Sequence, residues 1–227
     1  MAVLSHGAGS TANFLARAFP PDRLGVAHCY YVEDQTGDAA LIRAQLGHVA
    51  DRITAPVILG GVSLGGHVAA ELLASSERPA SAVAGLVCLP AWLGSPDDVA
   101  AMTAAAAADV SARGVNAILE ELDPRDWVVT ELRDAWRNRN ESRLAAELQQ
   151  ASQQPSPHFS ELADLTLPVG VVGLANDPLH PIDAADAWLE ALPRSAMSTM
   201  ARDEAATDRA VFADHARIAL QQAWNRH

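Results

Sequence analysis

Apolar positions along the chain follow two periods, and their alternation lays out the fold. Short apolar runs rich in β-branched residues, at 2–5, 25–32, 56–60, 81–89, 168–174 and 196–200, read as buried strands. Between them lie stretches with an apolar stripe at helical spacing: 11–18, 38–51, 66–74, 183–191 and a last helix within 207–224. In the second of these Leu41, Ile42, Leu46 and Val49 share one side. Strands alternating with helices predict a mostly parallel, doubly wound sheet with helices on both faces.

The alternation lapses in the middle. From 91 to 164 there is no strand pattern, only helical stretches at 97–113, 115–122, 128–137 and 142–150, punctuated by Pro124, Asn138, Pro155 and Pro157. That is far more chain than one crossover needs. The expected organisation is a core of residues 1–90 and 165–227, with residues 91–164 inserted as a helical cap or lid.

Composition narrows the classes. A chain of 227 residues, 49% hydrophobic, is long enough for one domain with a substantial core. Its net charge of −12 argues against nucleic acid and anionic membrane surfaces as partners. No apolar run approaches the roughly eighteen residues of a membrane span. The start, Met1 to His6, has no basic segment followed by a long apolar one, so a cytoplasmic protein is expected. Cys29 and Cys88 lie in strand-like runs and read as small core residues in a reducing compartment. Histidines and acids show no metal-ligand spacing, so neither metal nor cofactor is expected.

The chemistry centres on Gly61-Val62-Ser63-Leu64-Gly65, a G-x-S-x-G run between a strand and a helix. A serine on such a tight turn projects from the end of a sheet, and the flanking glycines let strand and helix backbones approach. To act as a nucleophile it needs a base, a group orienting that base, and donors for the developing oxyanion. Asp177, directly after the 168–174 strand, is the candidate acid. The backbone N–H groups of Leu64 and Ala8, the latter in His6-Gly7-Ala8-Gly9, are the candidate oxyanion donors.

For the base two histidines stay open. His215 serves if Asp214 caps the last helix, but lies too far along it if the helix starts near Thr207. His180, three residues after Asp177, is the other. His6 reads chiefly as a brace for its own loop and otherwise as a pocket residue or alternative base. Trp92, Trp127 and Trp136 are candidate pocket walls. His28, His48, His67, His158 and His227 read as structural.

His6-Gly7-Ala8-Gly9, Gly61-Val62-Ser63-Leu64-Gly65 and Asp177-Pro178-Leu179-His180-Pro181, in this order and with an insertion between the second and third, resemble the α/β-hydrolase superfamily, in particular small bacterial serine hydrolases with a helical cap. The resemblance spans nearly the whole chain. It implies Ser63 as nucleophile, Asp177 as acid, a late histidine as base and the helical insertion as a lid. Two departures stand out. The antiparallel strands that commonly start the fold are not seen before Ala2, and no Gly-His follows the last strand. The expected activity is hydrolysis of a carboxylic ester or thioester of a small, rather apolar molecule through an acyl-enzyme.

Two other readings follow from the residues. A non-hydrolytic or binding relative of the same fold, of isomerase or cyclase type, fits the absent Gly-His. A nucleotide-binding oxidoreductase fits Gly7-Ala8-Gly9-Ser10-Thr11-Ala12, with Glu33 and Asp34 at the distance of a ribose-binding acid.

Overall fold

A computed structural model describes residues 1–96 and 98–226. Asp97, the expected first residue of a helix, and His227 lie outside the described residues. Six strands form one sheet: β1 (Ala2–Ser5), β2 (Cys29–Val32), β3 (Val57–Val62), β4 (Ala82–Cys88), β5 (Val169–Ala175) and β6 (Ser195–Ala201). Their order is β2-β1-β3-β4-β5-β6, and every neighbouring pair is parallel.

The helices are α1 (Ala12–Ala18), α2 (Pro21–Leu24), α3 (Ala39–Asp51), α4 (Leu64–Ala74), α5 (Asp98–Arg113) and α6 (Val115–Glu121). They continue as α7 (Trp127–Trp136), α8 (Glu141–Ala151), α9 (Phe159–Leu162), α10 (Ile182–Ala191) and α11 (Val211–Trp224). Strand side chains alternate between two apolar clusters, as a sheet covered on both faces requires. Val3, Val169 and Val171 pack with Ile42, Leu46, Leu72 and Trp188 of α3, α4 and α10. Leu4, Val172 and Leu174 pack with Leu15 of α1 and Phe212 and Ala216 of α11. Helices α5 to α8, between β4 and β5, share an apolar cluster of their own around Val110, Leu119, Trp136 and Leu144.

Helix starts follow local chemistry. The side chains of Thr11, Asp38, Asp126 and Asn140 each accept a backbone N–H from the first turn of the helix they precede. One expected strand is shorter than its apolar pattern. Gly25, at φ 79°, closes the short helix α2, so β2 begins only at Cys29.

The ends of three adjacent strands are strained. Ser63, Leu89 and Asn176 have φ of 51°, 51° and 60°, and each lies at the carboxyl end of β3, β4 or β5. Non-glycine residues adopt this conformation rarely, and it clusters at functional edges. Around Ser63 the backbones crowd together. A Cβ on Gly65 would stand 2.2 Å from the Ser5 carbonyl oxygen, and one on Gly61 equally close to it.

That crowding predicts opposite effects for two Gly→Ala substitutions. Gly47, inside α3, has nothing nearer than 3.8 Å to its added Cβ. In urea denaturation Gly47→Ala should stabilise by about 0.5–1 kcal/mol, while Gly65→Ala should destabilise by about 2–3 kcal/mol.

Candidate active site

The turn at Ser63 is held from both sides. Its N–H donates to the Cys88 carbonyl at 2.8 Å, and its carbonyl accepts from the His67 N–H at 3.0 Å. Backbone restraint this tight fixes where the side chain emerges. Ser63 lines a cavity of about 350 Å³ between the sheet's carboxyl edge and helices α5, α7 and α8. Among the described residues its hydroxyl has no hydrogen-bond partner. Trp92, Trp127 and Trp136 all line the same cavity.

Asp177 and His180 stand in that wall as well. The Asp177 carboxylate is folded into its own loop. Oδ1 accepts the backbone N–H groups of Leu179 and His180 at 3.0 Å each, and faces His180 Nδ1 at 3.1 Å. A carboxylate only accepts, so Nδ1 carries the hydrogen and Nε2 is left as the acceptor. Sequence spacing of three and an Asx-type turn thus produce an oriented imidazole in the same cavity wall as Ser63.

The loop at Gly7 and Ala8 lines the same cavity. Gly7 is so close to Ser63 that a Cβ on it would lie 3.0 Å from Ser63 Cβ. The Gly7 carbonyl accepts from the Ser10 N–H at 3.1 Å and from His6 Nδ1 at 2.8 Å. Gly7 O and Ala8 N belong to one planar peptide, so pinning the oxygen turns the Ala8 N–H the other way. Ala8 and Leu64 both line the cavity.

No family model matches the chain, and none of the curated proteins matches it. Solved structures do. MenH from S. aureus superposes with a TM-score of 0.71 at 15% identity, covering 94% of this chain and 87% of that one. A thermophilic esterase from Thermogutta terrifontis gives 0.64 at 20% identity, over 88% and 80%. The enol-lactonase from Burkholderia xenovorans LB400 gives 0.65 at 17%, over 88% and 81%. The fold is the α/β-hydrolase fold.

His215 is not brought to Ser63. Helix α11 starts at Val211, ahead of Asp214, so His215 sits past its first turn. Its Nδ1 pairs with Ser198 Oγ at 2.8 Å and its Nε2 with Glu204 at 3.3 Å, and it is absent from the cavity wall. The position directly after β6 is taken by Arg202. Its guanidinium forks between Asp177 Oδ2 and Asp126, the cap of α7, and its carbonyl accepts Trp127 Nε1–H at 2.7 Å.

His6 is a brace and not part of the wall. Its Nε2 accepts the Asp34 N–H at 3.0 Å, which leaves Nδ1–H for Gly7. His67 is buried, stacked on Trp188 and edge-on to Trp92, with Nε2 accepting the Ala91 N–H. Burial first, and the charge of nearby His180 second, push its pKa down to about 3, so it is neutral at pH 7. The acids of the nucleotide-like pattern are occupied locally. Glu33 accepts the Ala12 N–H, and Asp34 caps Thr36 and Gly37.

Two groups at the site had no signal in the sequence. Arg202 registered there only as a missing histidine, and Glu147, whose Oε1 accepts the Gly9 N–H at 2.8 Å, lies 138 residues from its partner. Among the described residues no cluster of three or more His, Cys, Asp or Glu is arranged to hold a metal ion, and no helix is long and apolar enough to cross a membrane.

For Asp177 burial works to raise the carboxyl. The His180 hydrogen bond, the charges of His180 and Arg202 and the Leu179 N–H outweigh it and hold the group below the usual carboxylate range. The folded value is therefore below the unfolded one, about 3.9. The linked stability is complete above that value and disappears as pH falls through the folded one. Urea melts between about pH 5 and pH 2.5 should show the wild type losing stability more steeply than Asp177→Asn; parallel losses would mean the carboxyl is not depressed.

Proposed function

We propose that the chain is a serine hydrolase cleaving a carboxylic ester or thioester of a small, rather apolar substrate. The observation that carries this reading is one cavity wall that holds both a serine at a strained strand-to-helix turn and a histidine oriented by an aspartate. Ser63 Oγ attacks the carbonyl carbon as its proton passes to His180 Nε2, and the carbonyl electron pair moves onto oxygen. The N–H groups of Ala8 and Leu64 stabilise that oxyanion. Collapse breaks the bond to the leaving oxygen or sulfur, which takes the proton from His180 and departs as the alcohol or thiol. Water, deprotonated by the same imidazole, then releases the acid and restores Ser63.

Helices α5 to α8 act in this reading as a cap whose apolar side chains, among them Ile118, Leu132 and Leu148, receive the acyl group. Glu131, in the same wall, is matched by Arg17 and Arg209, so the cavity presents little unpaired charge to a substrate. A small neutral molecule is the fitting partner, and a net charge of −12 disfavours nucleic acid. A cytoplasmic setting suits two unpaired cysteines.

One observation favours a second reading, a non-hydrolytic or binding relative. Arg202 shares the carboxylate of Asp177 with His180, which weakens the field that an imidazolium intermediate relies on.

Labelling with a fluorophosphonate decides between them. The wild type should be labelled, Ser63→Ala should not, and His180→Ala should label about a hundredfold more slowly or less. His215→Ala should stay within about twofold of the wild type, since its partners are Ser198 and Glu204. Loss in His215→Ala with retention in His180→Ala would reverse the assignment of the base. A folded wild type that takes no label would overturn the hydrolase reading in favour of the second.

A further inference from the structure

Glu147 is a carboxylate in an expensive place. It lies on α8 with 1% of its surface exposed. Burying an ionised carboxyl costs several kcal/mol unless it is paired and hydrogen-bonded. Both oxygens are engaged, Oε2 by Arg139 and Oε1 by the backbone N–H of Gly9. Three residues before Arg139, Trp136 Nε1–H donates to the Gly9 carbonyl at 2.7 Å. The peptide groups on either side of Gly9 are therefore both fastened by side chains of the helical segment, while Gly9 itself holds φ 70°.

Ala8 lies between this clamp and another. Upstream, the Gly7–Ala8 peptide is pinned through the Gly7 carbonyl by His6 and Ser10. Downstream, the Ala8–Gly9 peptide is pinned through the Gly9 N–H by Glu147. With both flanking planes fixed, the direction of the Ala8 N–H is fixed too. Releasing the Glu147 end frees the Ala8–Gly9 plane and leaves the Gly7–Ala8 peptide, which carries the donor, anchored only through the Gly7 carbonyl, about which it can pivot.

We infer that Glu147 is a positioning residue for the oxyanion hole, reaching from the helical segment to aim the Ala8 N–H at the reacting carbonyl. The inference rests on the hydrolase reading for its consequence in catalysis, but the restraint on the loop can be read without turnover. It gives α8 a part in assembling the site as well as in walling the cavity.

Two substitutions separate reach from charge. Glu147→Gln keeps an oxygen at the Gly9 N–H and loses the charge; Glu147→Asp keeps the charge and withdraws the oxygen by one methylene. With p-nitrophenyl butyrate as probe, Glu147→Asp should lower kcat about tenfold or more with KM within about twofold, because an oxyanion donor acts in the transition state. Glu147→Gln should keep kcat within about threefold, and fluorophosphonate labelling of Ser63 should follow the same order. Amide hydrogen exchange at Gly9 should quicken in Glu147→Asp and not in Glu147→Gln.

The reverse pattern, with Glu147→Gln impaired and Glu147→Asp near wild type, would overturn the inference, as would unchanged exchange at Gly9 in Glu147→Asp. A wild type that neither labels nor hydrolyses the probe would sink the hydrolase reading instead. Exchange at Gly9 would then still decide whether Glu147 holds the loop. Should Glu147→Asp fail to fold, Glu147→Gln remains decisive: a tenfold loss of kcat with KM unchanged in that variant would show that charge, not reach, is what matters.

Discussion

Everything at the site depends on how closely three backbones meet at the end of β3. Ser5 of β1 presents its carbonyl where a Cβ on Gly61 or Gly65 would have to sit, so strand, turn and helix close on one another only through glycine. That closeness forces the turn, and the turn puts Ser63 at φ 51° with its side chain directed off the sheet. The strain is sustained because neighbouring structure over-determines it. The Ser63 peptide is bonded to β4 through Cys88 and to α4 through His67.

Arginine pairs tie the helical segment to the elements around it. All sixteen cationic side chains are arginine, whose planar fork engages two partners at once. Arg202 spans Asp177 and Asp126, Arg209 pairs with Glu131 and lies over the Trp127 ring, and Arg17 meets Glu131 from α1. These pairs converge on α7. A chain of net charge −12 thus places several of its few cations along one seam. The same seam touches the acid of the proposed triad, so the position of α7 and the electrostatics of Asp177 are not independent.

The order of strands and helices was legible because each element writes its own period. Buried parallel strands give continuous apolar runs, and covering helices give a stripe. Strand β2 was over-read because apolar content at 25–28 does not reveal that Gly25 ends a helix in the left-handed region. The choice between His215 and His180 was left open for a related reason. The chemistry of His215 suits a base, yet whether it faces a cavity depends on where α11 begins, and Asp214 is spent on Arg23 and not on a cap.

By itself the sequence determined the sheet, the serine turn and the Asp177 loop, since all three rest on contacts within a few residues: glycine at the close approach, an Asx-type turn, a strand running into a helix. It also fixed that His180 stands three residues from Asp177, which is near enough for their hydrogen bond to be local. Tertiary structure decided which histidine shares a cavity with Ser63, what fills the position after β6, and that Glu147 and Trp136 grip Gly9 from the other side of the site. The Glu147 and Trp136 pairings join residues more than a hundred positions apart. No periodicity or spacing encodes them, because they exist only once the two packed surfaces have met.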